Sequence, residues 1–377
     1  LEDLFDTLNA LCTSICVLGE VSPRGLDAIA SLGERMNAIL FSAVLIEKSL
    51  PGRKVEATDL IVSDNSFNHA RPLMKETCEK TKKTLAPLFE GGMIPIVTGF
   101  VAATRDGVTT TLGRGGSDYT TSILGTCLDA DEVWTWTDVD GVMTADPRIV
   151  PDARVIPEIT YSEVSEMAYF GAKVLHPKTI RPVIEHGIPL WVKNTFHPEC
   201  AGTRIGNQPQ SRAGRITAVT LIRGLSLVTV EGSGMLGVPG IAARTFSAVA
   251  RERASVLMIS QSSSEQSICF VIPSDNVGAV TNALEEEMAF EISRRDIDRI
   301  WSQGAVAIVS AIGAGMRHTP GVSARIFGAL GRKNINVIAI AQGSSEFSIS
   351  VVVNEKDADE AVRQIHQEVI LNESSNQ

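Results

Sequence analysis

The chain has 377 residues, 44% hydrophobic and 21% charged, which excludes a disordered polymer and leaves room for two or three domains. Lys and Arg number 34 against 44 Asp and Glu, a net charge of −10, and no local basic stripe offsets that field, so a nucleic-acid surface is not expected. With six cysteines, no CxxC, no signal peptide and no apolar run reaching about 18 residues, the reading is a cytoplasmic chain without a disulfide scaffold or membrane contact.

Near the start, Cys12 and Cys16 lie four apart on an apolar helical stretch and are expected in a core. Ser22-Pro23 predicts a helix start, an N-cap followed by proline at the first helical position. That helix runs towards Leu50, with Leu32, Met36, Ile39, Leu40 and Ala43 as its apolar stripe and Ala30, Ala38 and Leu45 on the opposite side, so the pattern leaves both faces open to cover. Glu34 falls off the stripe, between Ala30 and Ala38. A Lys/Glu helix over about 71–89 sets Glu76 and Glu79 four residues before Lys80 and Lys83, reads as a solvated face, and stops at Gly91-Gly92. A strand is predicted at 94–100, a helix at 118–128 and a strand at 132–137. Two short helices (162–170 and 177–186) and a strand at 189–194 follow. Apolar strands alternating with helices predict an α/β domain over residues 1–210, a mainly parallel sheet covered by helices.

A polar stretch at 206–215 reads as a linker, and a second domain is expected at 216–371. There, Gly234-Met235, Pro239-Gly240, Arg244, Phe246, Gln261 and Ser267-Ile268 recur without a gap 81 residues later. They return as Gly315-Met316, Pro320-Gly321, Arg325, Phe327, Gln342 and Ser348-Ile349. Each unit, about 224–300 and 304–370, reads as a strand, a helix begun at Pro-Gly, two strands and a helix: a small α+β sandwich present twice.

Three segments carry candidate chemistry. Gly113-Arg114-Gly115-Gly116-Ser117-Asp118 stands before a helix, where glycines admit a ligand, the helix N-terminus favours an anion, and Arg114 suits a carboxylate. A plain glycine turn capped by Ser117 or Asp118 fits the same spacing. Residues 137–148, Thr137 to Arg148, follow a strand whose carboxyl end is the usual place for a ligand, although an Asp-Gly turn is a simpler account. In Phe170-Gly171-Ala172-Lys173-Val174-Leu175-His176-Pro177, Lys173 sits in a short loop between helices and is able to reach a phosphate. The six scattered histidines suggest no triad and no metal-ligand set.

The strings GERMN (33–37), TTTLGRGGSD (109–118), WTDVDGVMTADPR (136–148) and FGAKVLHP (170–177), ahead of paired QSSSE (261–265) and QGSSE (342–346), resemble aspartokinase with tandem ACT domains. The likeness is nearest to the threonine-sensitive type and to the kinase portion of bifunctional aspartokinase–homoserine dehydrogenase. It implies an amino-acid-kinase-like α/β domain followed by two ACT units, and MgATP-dependent phosphorylation of the L-aspartate side-chain carboxylate to 4-phospho-L-aspartate. By the same resemblance Glu34, Arg114, Gly115 and Ser117 bind aspartate, and Asp118 with Arg114 serves the phosphoryl-transfer centre. Thr137, Asp138, Met143, Arg148, Lys173 and Val174 line the nucleotide site, with Met143 where some members carry a tyrosine. Gln261 and Gln342 bind an amino-acid effector, threonine ahead of lysine. A homodimer or larger homo-oligomer is implied. The family's Lys-Phe-Gly-Gly-Thr-Ser motif is missing, so the sheet is expected to lack its first part and the chain as given to have little kinase activity. The alternative is a non-catalytic amino-acid-sensing subunit.

Overall fold

The computed structural model describes residues 1–172, 175, 177–207, 215–262, 266–343 and 346–372. Chain contacts divide it into two compact units: residues 1–142 with 157–164 and 173–209, and residues 143–156 with 165–172 and 210–377.

The first unit opens with α1 (Glu2–Leu18) and α2 (Pro23–Glu47). Ser22 caps α2 as its sequence predicts, its hydroxyl oxygen accepting from the Gly25 amide at 3.1 Å. Of the apolar stripe only Leu32 is buried, joined by Ala38 from the opposite side. Asp27, Ser31, Leu32, Ala38 and Ser42 are buried, whereas Leu40 is 52% exposed. Small side chains on this face let α2 lie close to β1 (Gly52–Val55), where even a Cβ at Gly52 would meet Leu45 Cβ at 2.8 Å. By length and composition α2 is apolar enough to cross a bilayer, yet it carries a fully buried, hydrogen-bonded Asp27. α1 buries none of its residues, so Cys12 and Cys16 stand exposed and not in a core.

The unit continues through β2 (Val62–Ser63), α3 (Met74–Glu90), β3 (Ile94–Val97), β4 (Val101–Thr104), β5 (Thr109–Thr111), α4 (Gly116–Cys127) and β6 (Val133–Thr137). β7 (Glu158–Thr160), the start of α5 (Tyr161–Tyr169), α6 (Pro177–His186), β8 (Leu190–Asn194) and β9 (Thr203–Gly206) complete it. β1–β3, β2–β4, β6–β8 and β7–β9 pair parallel, while β4–β5 and β8–β9 pair antiparallel. The strand predicted at 94–100 stops at Val97, because the chain turns through Phe100 (φ 66°), whose amide donates to Thr120 Oγ1 at 3.0 Å. Leu60, Ile61, Leu85, Ala102 and Ile123 form the core, each large aliphatic contributing about 1.5–3 kcal/mol by burial. One disulfide, Cys78–Cys127, joins α3 to α4. On the solvated face of α3, Glu76 pairs with Arg105 and not with Lys80, since a planar guanidinium grips both carboxylate oxygens.

The second unit is built from β10 (Ala218–Glu231), α7 (Ile241–Arg251), β11 (Met258–Gln261), β12 (Ser267–Pro273), α8 (Val277–Glu287), α9 (Ala289–Arg294) and β13 (Arg299–Ile312). α10 (Val322–Arg332), β14 (Ala339–Gln342), β15 (Ser348–Asn354) and α11 (Ala358–His366) follow. The six strands form one antiparallel sheet in the order β11-β12-β10-β13-β15-β14. β10 and β13 stand at the 81-residue offset and pair with each other along their length, Ala218 with Ile312 and Glu231 with Arg299, so a local pseudo-twofold axis passes between them. Two hydrophobic cores result. Val228 and Val230 of β10 join Phe270, Leu284 and Ile300 in one. Val219 of β10 joins Val309, Ile326, Val351 and Ile365 in the other. Each long strand therefore gives one half to its own repeat and the other half to its neighbour.

Candidate active site and effector pocket

The glycine segment before α4 is shaped by close approach. Gly113 has φ 81°, and a Cβ there would come within 2.9 Å of both Asn68 O and His69 Nδ1. A Cβ on Gly116 would lie 2.6 Å from Phe100 Cδ2. Beneath the loop, the Asp27 carboxylate accepts from the Asn68 amide at 2.9 Å, the Thr111 amide at 3.1 Å and Thr111 Oγ1 at 2.6 Å. This ties α2 to the strand leading into the loop. Glu34 sits two turns beyond Asp27 on the same stripe of α2, and there Ser117 Oγ donates to Glu34 Oε1 at 3.4 Å. Arg114 is exposed on the same loop, and Gly115 caps α4 with φ 71°. Asp118 lies half-buried in the first turn of α4, and burial holds its carboxyl above the usual carboxylate range. The arrangement sets a carboxylate, Glu34, beside a helix N-terminus and an arginine, which suits a ligand carrying both an ammonium and an anionic group.

Asp27 escaped the sequence reading. Its signal is an acidic residue seven before Glu34 on an otherwise apolar helix, and spacing alone does not separate that from a solvated side chain.

The residues assigned to the nucleotide come from both units. Thr137 ends β6 in the first unit, its hydroxyl donating to Asp138 Oδ1 at 3.1 Å. Met143 and Arg148 belong to the second unit, where Met143 bridges Val155 and exposed Arg148 pairs with Asp146 at 2.6 Å. Lys173, Val174 and His176 lie outside the described residues. The β6 loop also brings Asp140 beside His197 and Cys200, a grouping of metal-ligating side chains where the sequence reading found none.

Gln261 and Gln342 close β11 and β14 at equivalent places, paired with Ile268 and Ile349. Residues 263–265 and 344–345 of the two QSSSE-like strings lie outside the described residues. Gln342 lines a cavity of about 430 Å³ with His318, Thr319, Ser323, Glu346 and Ile349. Glu346 Oε2 accepts from the His318 amide at 2.8 Å, fixing one wall. At the 81-residue offset, His318, Thr319 and Ser323 correspond to Gly237, Val238 and Ala242, so the second repeat is the more polar one.

The amino acid kinase family matches residues 5–194, and the ACT domain matches 228–288 and 309–369. Bifunctional aspartokinase/homoserine dehydrogenase 1 of Arabidopsis thaliana is 38% identical over 381 residues, covering 100% of this chain and 42% of the relative. The crystal structure of E. coli aspartokinase III with aspartate and ADP superposes at a TM-score of 0.80 and 31% identity, covering 98% of this chain and 80% of that one. This chain belongs to the aspartokinase family. The same E. coli aspartokinase solved with lysine and aspartate gives a TM-score of 0.78 at 32% identity over the same shares. The aspartokinase assignment carries the fold with it, an amino acid kinase α/β domain followed by ACT domains. This aspartokinase chain spans about two fifths of the length of the bifunctional relative.

Proposed function

We propose that the protein phosphorylates the side-chain carboxylate of L-aspartate with MgATP and that an amino acid regulates it through the ACT repeats. The observation that carries this reading is the apposition of Glu34 and Ser117 at the glycine-bounded start of α4. Glu34 holds the aspartate ammonium, while Arg114, the Gly115 backbone and Ser117 hold its α-carboxylate. The side-chain carboxylate oxygen then attacks the γ-phosphorus of ATP, the bond to the bridging oxygen breaks, and ADP leaves. Such transfer depends on alignment and charge neutralisation more than on covalent help from the protein. Thr137, Asp138, Met143, Arg148, Lys173 and Val174 are the residues proposed for the nucleotide. Asp118 fits a Mg²⁺ centre: its carboxyl is desolvated, and a neighbouring cation would favour the ionised form. Mg²⁺, when bound, supplies positive charge to the phosphates.

The effector is proposed to be threonine, with lysine second. The polar cavity around Gln342 supports a small zwitterion, since an amide both donates and accepts. The exposed edge strands support a homo-oligomer: Ile259 of β11 and Ile340 of β14, 50% and 47% exposed at equivalent positions, offer apolar surface for strand pairing between chains.

Calorimetric titration with L-aspartate tests the reading. Saturable binding, strongly weakened in Glu34→Gln and Arg114→Ala, supports it; binding equal in parent and variants refutes the site. An ATP-to-ADP assay with aspartate runs beside it. The 377 residues hold no Lys-Phe-Gly-Gly-Thr-Ser motif, and little turnover is expected of them. Threonine or lysine binding without aspartate binding would favour the sensing-subunit alternative.

A further inference from the structure

We propose that Asp140, His197 and Cys200 form a binding site for a thiophilic divalent cation, of which Zn²⁺ fits best, joining the loop after β6 to the loop after β8.

The three side chains come from two loops at the carboxyl ends of parallel neighbours, since β6 and β8 pair in register up to Thr137 with Asn194. Asp140 lies three residues beyond β6. His197 and Cys200 are the ends of a His-Pro-Glu-Cys turn, closed by the Cys200 amide donating to His197 O at 3.0 Å. Proline in the second place of such a turn is pre-set for it, and the turn returns both end side chains to one side of the chain. One ligand atom from each residue lies within 4.8 Å of the other two, and Asp140 Oδ1 stands 3.0 Å from His197 Nδ1. In a tetrahedral zinc site with bonds of about 2.0–2.3 Å, neighbouring ligand atoms stand about 3–4 Å apart, so closure needs only a small movement of these loop side chains, of which His197 is exposed and Asp140 and Cys200 are partly buried.

The carboxylate is already held in place. Asn194, buried at the end of β8, donates from Nδ2 to Asp140 Oδ1 at 2.6 Å, while its Oδ1 accepts from the Phe196 amide at 2.8 Å. One buried amide thus orients the Asp140 ligand and fixes the approach to His197, the support that metal ligands ordinarily receive from their neighbours. The donor set selects the ion. One thiolate sulfur, one imidazole nitrogen and one carboxylate oxygen suit zinc or cobalt, whereas Mg²⁺ and Ca²⁺ prefer all-oxygen sites. A thiolate, a carboxylate and a neutral imidazole balance the charge of the cation, and the thiol proton is released on binding. Three protein ligands leave a fourth position to water. Bound there, the cation would hold in place the loop that begins with Thr137 and Asp138.

The test is a Co²⁺ titration of the whole chain after chelator treatment, read by visible and near-ultraviolet absorption. One equivalent is expected to give tetrahedral cobalt bands with a sulfur-to-cobalt charge-transfer band, both removed by Zn²⁺. Cys200→Ser is expected to abolish the charge-transfer band, His197→Ala to weaken binding at least about tenfold, and Asn194→Ala to weaken it about 10–100-fold. The exposed pair Cys12 and Cys16 is the rival thiolate source, so the Cys12→Ser, Cys16→Ser double variant should keep the band. Zn²⁺ should also raise the melting temperature of the parent and not of Cys200→Ser, with circular dichroism checking that each variant is folded. Absence of a charge-transfer band in the parent overturns the proposal, and so does a band that survives Cys200→Ser.

Discussion

Ser117 and Glu34 stand 83 residues apart in the chain, yet the serine hydroxyl donates to the glutamate Oε1 at 3.4 Å. The contact exists because two separate devices meet: α2 presents Glu34 on its close-packed small-residue face, and the glycine loop lowers the start of α4 onto it. A carboxylate held in this way is available to an ammonium. Replacing Glu34 by Gln keeps the shape and removes the charge, and should weaken aspartate binding by roughly 2 kcal/mol, about thirtyfold, in calorimetry. Equal affinities would remove Glu34 from the site.

Asp27 is a supporting residue with a stability signature. Asp27→Ala leaves the Asn68 amide and both Thr111 donors without their acceptor and opens a hole under the glycine loop. A loss of about 3 kcal/mol is expected in urea unfolding, with a smaller loss for Asp27→Asn. Unchanged midpoints would mean that water replaces the carboxylate at no cost.

If the Gln342 cavity takes the effector as proposed, two equivalent glutamines have unequal roles. Gln342→Ala should lower threonine affinity about fivefold, the worth of one neutral hydrogen bond, and Gln261→Ala should lower it less. Placing the polar residues of the second repeat into the first, Val238→Thr with Ala242→Ser, should not disturb the Gln342 site. Calorimetric stoichiometry and affinity check both; a larger effect at Gln261 would reverse the assignment.

His366 sets a pH dependence in the second ACT core. It is 1% exposed, its Nε2 lies 2.9 Å from Thr144 Oγ1, and Nδ1 has no partner among the described residues. Burial, helped by Arg154 and opposed by Asp152, holds its pKa below that of a free histidine. The unfolded chain therefore takes up this proton more readily than the folded one. Stability from this group is complete above about pH 6.5 and falls as the pH drops through that value towards the lower folded pKa. Melting temperatures between pH 7 and 5 should decline less steeply in His366→Gln than in the parent; parallel curves would clear His366 of this role.

The 81-residue repeat, the capped start of α2 and the alternation of strand and helix were legible in the sequence, because each rests on local chemistry: hydrophobic period, a serine before proline, glycine at turns. Glu34 was singled out by the resemblance of a few short strings alone, since its helical pattern reads as solvated; the structure places it 3.4 Å from Ser117 Oγ. The pattern left both faces of α2 open, and close packing against β1 decided it, burying small and polar residues with Leu32 while Leu40 stays exposed. The sharing of β10 and β13 between two cores was not legible, since it follows from the pairing of Ala218 with Ile312 and not from any local preference. The grouping of Asp140 with His197 and Cys200 has the same origin: 57 residues separate Asp140 from His197, and parallel pairing of β6 with β8 closes that distance. Local propensity determines which elements form, while only the packing of distant segments decides which side chains meet.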